Sequence, residues 1–191
     1  MYKEEIKKFT LAALFLAIGF YLPFLTGQIQ QIGNMLLPMH IPVLLCGLIC
    51  GWKYGLVVGF VLPIFRYFVF GMPVLIPMGI AMAFELATYG MLVGFIYNRS
   101  KWKCVISLYK AMIIAMVAGR IVWGVARIVL SGLGNYGFTW KLFIAGAVFN
   151  AIPGIILQLV LIPAIMVALG KAKLVPFGHK QHKKVADGAK A

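Results

Sequence analysis

Charged side chains are scarce in this sequence. Asp, Glu, Lys and Arg together make up 12% of its 191 residues, whereas a soluble globular protein carries about 25%. Hydrophobic residues make up 63%, and the mean hydropathy is +0.98. A chain this apolar cannot cover itself with polar surface. The composition therefore excludes a soluble domain and predicts an all-α bundle within the membrane.

Acidic residues are especially rare, with four Asp and Glu against eighteen Lys and Arg. Only Glu85 lies within a long apolar run, so the sequence lacks the paired carboxylates of many hydrolytic enzymes. A proton-coupled carrier usually needs more than one acidic residue within the membrane, so this class is also disfavoured. The sequence also has no GxxxxGK[ST] phosphate-binding loop, no HExxH motif and no Ser-His-Asp candidate. We therefore expect no enzymatic activity, no ATP hydrolysis by the chain itself and no bound cofactor.

The three cysteines do not indicate a specific function. Cys46 and Cys50 lie four residues apart in an apolar run, and Cys104 follows a basic segment. A metal site would need more ligands, with carboxylates or histidines nearby. We interpret the three cysteines as packing residues and expect neither a metal site nor a disulfide.

Long apolar runs dominate what remains. Since a spanning helix needs about 20 apolar residues, the chain has room for six, at residues 6–24, 41–51, 54–70, 73–97, 105–130 and 140–169. The second run is too short to span by itself at about 1.5 Å per residue. Either its helix begins upstream, near Met35 or Leu36, or it is a half-helix. The first run follows lysines but no small-residue cleavage site follows it, so we expect an uncleaved helix rather than a signal peptide.

The net charge of +14 is distributed by side of the membrane. Lys and Arg cluster before the first run, between the second and third, around the connection near residue 100, and after residue 170, whereas 26–40 and 131–140 contain none. This positive-inside pattern predicts cytoplasmic termini and an even number of crossings. We expect a six-helix transmembrane domain over residues 1–170 and a basic cytoplasmic tail over 171–191, with no nucleic-acid partner.

Ionisable residues within a membrane are costly and are functional by default. Glu85 and Arg120 both fall near mid-depth, which predicts an ion pair. Arg120, Trp123 and Arg127 are three and four residues apart and share one helical face, as Glu85 and Tyr89 do. Further polar candidates lie in the outer half: Arg66, His40 and Asn150.

Together these residues predict a positively charged, partly aromatic pocket that opens outward and binds a substrate. Arginine can bind a carboxylate or phosphate through two hydrogen bonds, and we expect Arg127 to hold an anionic group. Trp123 and Tyr89 are suited to stacking on a ring or packing on an alkyl ligand. Three amides are suited to hydroxyls and amides of the ligand: Asn34, Asn150 and Gln158.

Structural alternatives stay open for several of these residues. Arg66 can extend to the interface, Arg120 can serve only to pair with Glu85, and Asn34 and His40 can be ordinary loop residues. The proline-broken stretch at 33–42 is typical of transporter binding sites, but an external loop with a proline cap explains it as well.

Small residues recur at helical spacing in two of the runs. Ala13 and Ala17 lie four residues apart in the first run. The fifth run contains a second stripe of small residues: Ala111, Ala115, Ala118 and Gly119. Such spacing lets helices approach closely in a membrane.

One segment carries a family resemblance. The stretch LPMHIPVLLCGLICGWKYGLVVGF, which begins at Leu37, resembles the second and third helices of the substrate-binding (S) components of energy-coupling factor (ECF) vitamin transporters. The Ala13-xxx-Ala17 pair resembles the alanine motif with which these proteins dock on their membrane partner. Within the family, residues 38–51, Arg66 and residues 81–89 look most like the pantothenate-type branch.

The resemblance implies a function and a set of partners. It implies a multi-pass protein of the bacterial cell membrane that captures a vitamin, with pantothenate favoured, under a lid formed by residues 26–40. The partners would be the transmembrane coupling protein EcfT and two ABC ATPase subunits, EcfA and EcfA′. The alternatives are an S component for another vitamin, such as pyridoxine or a pyrimidine precursor stacked on Trp123, a stand-alone secondary carrier, or a non-transporting assembly subunit.

Overall fold

The structure, a computed structural model, describes residues 2–23, 37–71, 73–133, 152–172, 174–175 and 177. Within these ranges the chain forms six α-helices: α1 (Tyr2–Tyr21), α2 (His40–Cys50), α3 (Trp52–Phe70), α4 (Ile80–Arg99), α5 (Val105–Leu133) and α6 (Ile152–Lys171). The predicted all-helical class is confirmed for this part of the chain.

The described helices differ in their capacity to cross a membrane. By length and composition, four described stretches could cross a membrane: Trp52–Phe70, Leu75–Arg99, Val105–Gly132 and Ile152–Lys171. The apolar helix α2 is shorter, with eleven residues. The number of six crossings and the cytoplasmic position of the termini stay predictions.

The start of α2 decides between the two alternatives for the second run. Leu37 has a φ of 49°, a left-handed conformation that cannot continue into a right-handed helix. The amide of His40 donates to the carbonyl of Leu37 at 3.0 Å and closes the turn from which α2 begins. A helix start near Met35 or Leu36 is therefore wrong, and α2 is the short helix of the second alternative, roughly 16 Å long.

The fourth run, predicted at 73–97, corresponds to the candidate span Leu75–Arg99, and it is interrupted near its beginning. A π-helical turn, Leu75–Gly79, precedes α4, and within it Ile76 is extended, with φ −116° and ψ 128°. A residue that precedes proline is disfavoured in the helical region, and Pro77 follows Ile76. The helix proper begins only at Ile80.

Helix α4 is the centre of the described bundle. It packs against α2, α3 and α5, while α1 covers α2 and α3, and α6 packs on α5 and α2. The buried core between them is aliphatic and aromatic, with Leu44, Val93 and Met112 among its fully buried members. The side chains that α4 turns inward are therefore surrounded by three other helices.

Glycines allow α4 to approach α2 and α3 at backbone distance. A Cβ at Gly90 would overlap the carbonyl group of Gly55, and a Cβ at Gly47 would overlap the carbonyl of Gly90. Close packing of small residues is how helices associate within a membrane. The small residues noted above on α1 and α5 lie outside this crossing.

Candidate functional site

Polar side chains from three helices are buried in the apolar core. His40 of α2, Glu85 of α4 and Gln158 of α6 are each 1% exposed. Tyr89, one turn beyond Glu85 on α4, is also buried. Because a buried polar group is costly unless it is satisfied, a cluster of this kind at the centre of a bundle indicates a functional site.

Glu85 is the hub of the cluster. Its Oε1 accepts a hydrogen bond from the Tyr89 hydroxyl at 3.1 Å and lies 3.2 Å from Arg120 Nη1. His40 Nε2 lies 3.7 Å from the same oxygen. The predicted ion pair between Glu85 and Arg120 is therefore formed, and the negative charge of the carboxylate is shared among side chains of α2, α4 and α5.

His40 occupies a buried position at the start of α2. Its ring lies 5.2 Å from the ring of Tyr89, edge to face. The interpretation of His40 as an ordinary loop residue is wrong, because the turn at Leu37 directs the first residue of α2 into the core. Neither ring nitrogen has a hydrogen-bond partner among the described residues.

Tyr89 is held in place by a glycine on the facing helix. A Cβ at Gly119 of α5 would overlap the ring of Tyr89, so the ring occupies the space that the missing side chain leaves. This contact fixes the direction of the hydroxyl that Tyr89 donates to Glu85. Gly119 belongs to the small stripe seen in the sequence, but only the structure shows what it accommodates.

The predicted shared face of α5 is present. The guanidinium carbons of Arg120 and Arg127 lie 5.9 Å and 5.5 Å from the centre of the Trp123 ring. Both distances are within the range of a cation–π contact. Trp123 is buried, so the α5 face presents two cations around one aromatic ring.

Several polar atoms of the cluster lack partners. Within the described ranges, no hydrogen-bond partner exists for Arg120 Nε and Nη2 or for either amide atom of Gln158. Each unsatisfied buried group costs about 1–3 kcal/mol. The site therefore holds enclosed donors and acceptors that no described residue satisfies.

A cavity of about 720 Å³ lies between α5 and α6, with Arg120 in its wall. Its other described lining residues are almost entirely aliphatic, and they include Met116, Val117, Ile155 and Leu159. Apolar walls with a few placed polar groups are typical of small-molecule sites. This wall has no signal in the sequence, because a lipid-facing and a cavity-facing aliphatic residue have the same hydropathy.

The described residues contain no group of three or more His, Cys, Asp or Glu side chains that could hold a metal ion. Arginine, amide and aromatic side chains instead suit an organic ligand with an anionic group. A family model for the substrate-specific component of ECF transporters matches residues 7–166, a range that contains every site residue named above. The chain belongs to this family.

No curated protein and no solved structure matches the chain. The family is a substrate-binding component of a transporter rather than an enzyme family, and its members work with EcfT and EcfA ATPase modules. The resemblance drawn from the sequence is confirmed at this level. Since four of its described helices are long and apolar enough to cross a membrane, the S component is a multi-pass membrane protein.

Arg66 of the S component lies in a different environment from the Glu85 cluster. It is buried, its Nη1 donates to the carbonyl of Phe20 at 3.4 Å, and its guanidinium carbon lies 5.7 Å from the ring of Phe70. The hydrogen bond to Phe20 joins the C-terminal end of α1 to α3. Two other predicted site residues, Asn34 and Asn150, and most of the predicted lid at 26–40 lie outside the described residues.

The α1 surface of the S component carries the alanine pair. Ala13 and Ala17 are both exposed, and Ala13 lines an apolar groove of about 420 Å³ between α1 and α3. Near one end of this groove the Tyr54 hydroxyl donates to Glu5 Oε2 at 3.1 Å. That hydrogen bond ties α1 to α3 beside the exposed small residues.

Proposed function

We propose that this S component captures pantothenate from outside a bacterial cell and delivers it through ATPase-driven partners. The observation that carries the proposal is the Glu85–Arg120 pair at the wall of an aliphatic cavity. Pantothenate combines a carboxylate with hydroxyl groups, an amide and a dimethyl-substituted carbon. Each part has a chemical counterpart in the site.

Each chemical group of pantothenate can be matched with a set of side chains in the site. The arginines of α5 supply cations for the carboxylate, and the aliphatic lining of the cavity suits the dimethyl group. His40 and Gln158 supply buried donors and acceptors that lack described partners and that suit hydroxyls and the amide. In the proposed complete site we include the predicted residues that the structure places elsewhere or does not describe: Arg66, Asn34 and Asn150.

Delivery depends on partners. We propose that EcfT contacts α1 at Ala13 and Ala17 and that EcfA and EcfA′ hydrolyse the ATP. The exposure of both alanines and the apolar groove beside them support this assignment, since a partner helix can approach closely only where side chains are small.

Two alternative functions would use the same site. The two arginines around Trp123 also suit a ring vitamin, such as pyridoxine or a pyrimidine precursor, stacked on the indole. A stand-alone secondary carrier would use the same cavity without ATPase partners. The single buried acid among the described residues argues against a proton-coupled carrier.

The test has two parts. Calorimetric titration of the purified chain with pantothenate and with pyridoxine should show tight binding of pantothenate and weak binding of pyridoxine. Uptake of labelled pantothenate into vesicles should require EcfT and both ATPase subunits. Preferential binding of pyridoxine would show that pantothenate is the wrong ligand. Uptake by the chain without partners would show that it is a stand-alone carrier.

A further inference from the structure

Helix α6 continues through a proline. Pro163 lies inside the helix Ile152–Lys171 and is buried. Because proline has no backbone N–H, the carbonyl four residues earlier, that of Leu159, loses its donor within the helix. The Tyr109 hydroxyl of α5 donates to this carbonyl at 3.0 Å. A side chain of the neighbouring helix therefore supplies the hydrogen bond that Pro163 removes from α6, which is one way in which membrane proteins accommodate an interior proline.

The hydrogen bond between Tyr109 and Leu159 lies at one end of the cavity between α5 and α6. Tyr109 precedes Ile113, the first α5 residue of the lining, by about one helical turn. Leu159 is the last α6 residue of the lining. Farther toward the C-terminal end of α6, Ile162 and Met166 are fully buried in the core. The bond therefore marks the place where α6 passes from the core to the wall of the cavity.

The part of α6 before Leu159 forms one wall of the cavity. It carries two further lining residues, Ile152 and Ile155. An interior proline removes one bond of the helical ladder, and its ring presses on the carbonyl four residues earlier, so helices bend most readily at prolines. The direction of this wall relative to α5 therefore depends on the Tyr109 hydrogen bond and not on an unbroken ladder.

We infer that Tyr109 is a positioning residue for the ligand cavity and that Pro163 makes the α6 wall adjustable. The Tyr109 hydroxyl acts through Leu159, and it fixes the angle at which α6 leaves α5 and hence the width of the cavity. This inference rests on the proposed function, because it takes this cavity as the place where the ligand binds. The sequence predicts no role for Tyr109, since a helical pattern does not show that its hydroxyl reaches the carbonyl freed by Pro163.

A second tyrosine offers a matched control. The Tyr54 hydroxyl donates to Glu5 Oε2 at 3.1 Å and joins α1 to α3, away from the cavity between α5 and α6. Tyr54→Phe and Tyr109→Phe each remove one hydroxyl hydrogen bond between two helices. A difference between the two variants therefore reports the position of Tyr109 and not a general loss of stability.

The first experiment measures the width of the cavity without a ligand. In a Cys104→Ser background, spin labels are attached to cysteines introduced at Val117 and Ile152. Both residues line the cavity and are exposed, and each lies about two helical turns from the bond between Tyr109 and Leu159. We expect a narrow distribution of distances between the labels in the parent. In Tyr109→Phe the distribution should be broader and centred at a longer distance.

Pro163→Ala supplies the decisive comparison. The substitution restores an N–H at position 163 that can donate to the Leu159 carbonyl, so the ladder becomes continuous and the Tyr109 hydroxyl becomes redundant. In the Pro163→Ala background, Tyr109→Phe should therefore leave the distribution narrow. The inference is overturned if Tyr109→Phe does not change the distribution in the parent, or if it broadens the distribution equally in both backgrounds.

The second experiment measures pantothenate binding by calorimetric titration of the intact chain. Tyr109→Phe should weaken binding about two- to tenfold, the effect of one neutral hydrogen bond, and Tyr54→Phe should leave it unchanged. In the Pro163→Ala background, Tyr109→Phe should weaken binding by less than about twofold, because the two substitutions act on one carbonyl and are coupled. Equal losses in Tyr109→Phe and Tyr54→Phe would overturn the inference.

The two experiments distinguish failure of the inference from failure of the proposed function. If the parent chain does not bind pantothenate, the proposed ligand is wrong, and the distances measured without ligand still decide the inference. If pantothenate binds but Tyr109→Phe changes neither the distances nor the affinity, the proposed function stands and Tyr109 has no positioning role.

Discussion

Gly119 of α5 faces the ring of Tyr89 so closely that a methyl group at position 119 would overlap ring atoms. The ring in turn directs its hydroxyl onto Glu85 Oε1 at 3.1 Å, the atom that also pairs with Arg120. One missing side chain on α5 therefore helps to set the geometry of the charged cluster.

Gly119→Ala should weaken both folding and ligand binding. The added methyl group displaces the Tyr89 ring, and overpacking of this kind costs about 1–3 kcal/mol. Glu85 also loses a hydrogen bond. Thermal unfolding in detergent and calorimetric titration measure the two effects. Gly132→Ala is the control on the same helix, because a Cβ there meets nothing within 4 Å, and an equal loss in both variants would contradict the role of the Tyr89 contact.

Gly90→Ala should be more damaging than Gly119→Ala. The methyl group at position 90 would overlap the backbone carbonyl of Gly55, and a backbone cannot move aside as a side chain can. We expect α3 and α4 to separate and the yield of folded protein to fall sharply in size-exclusion chromatography. A Gly90→Ala protein that is as stable as the parent would show that the helices do not cross at this distance.

Arg120→Ala should destabilise the fold by about 3–5 kcal/mol, because it leaves the buried carboxylate of Glu85 without its cation. A second substitution, Glu85→Gln, should restore part of the loss, since the charge is then absent. Arg127→Ala should leave the melting temperature close to that of the parent, because the described residues contain no acid paired with Arg127. Additive losses in the Arg120→Ala/Glu85→Gln protein would show that the pair is not coupled.

Ala13→Trp and Ala17→Trp should abolish uptake by the complete transporter while ligand binding by the purified chain persists. Both residues are exposed on α1, so the isolated chain tolerates the larger side chain, but close packing against a partner helix does not. Ala164→Trp is the control, because Ala164 is an exposed alanine on α6. Normal uptake by the two α1 variants would remove α1 from the docking surface.

Cysteine labelling should place residues on opposite sides of the membrane. In a Cys104→Ser background, cysteines at Gln30 and Asn135 should react with an impermeant reagent from outside, and a cysteine at Lys101 only from inside, because the cations mark the cytoplasmic side. Lys101 is exposed and therefore accessible to the reagent. Reaction at Lys101 from outside would reverse the proposed topology.

Hydropathy, charge distribution and helical spacing are local properties of a sequence. The features of this protein that depend on them were determined by the sequence by itself. They predicted a helical membrane protein, the shared face of Arg120, Trp123 and Arg127, and the pairing of Glu85 with Arg120 from their similar depth. The motif around α2 led to the correct family, because short sequence patterns need no knowledge of how the helices are arranged.

Only the tertiary structure decided which helix faces meet. The space at Gly119 for Tyr89, the crossing at Gly90 and the groove beside Arg120 all depend on contacts between residues far apart in the chain. A glycine, an aliphatic residue or an arginine has the same local sequence signal whether it faces lipid, another helix or a cavity. The crossing of α4 with its neighbours therefore determines the site, and no periodicity along a single helix contains that information.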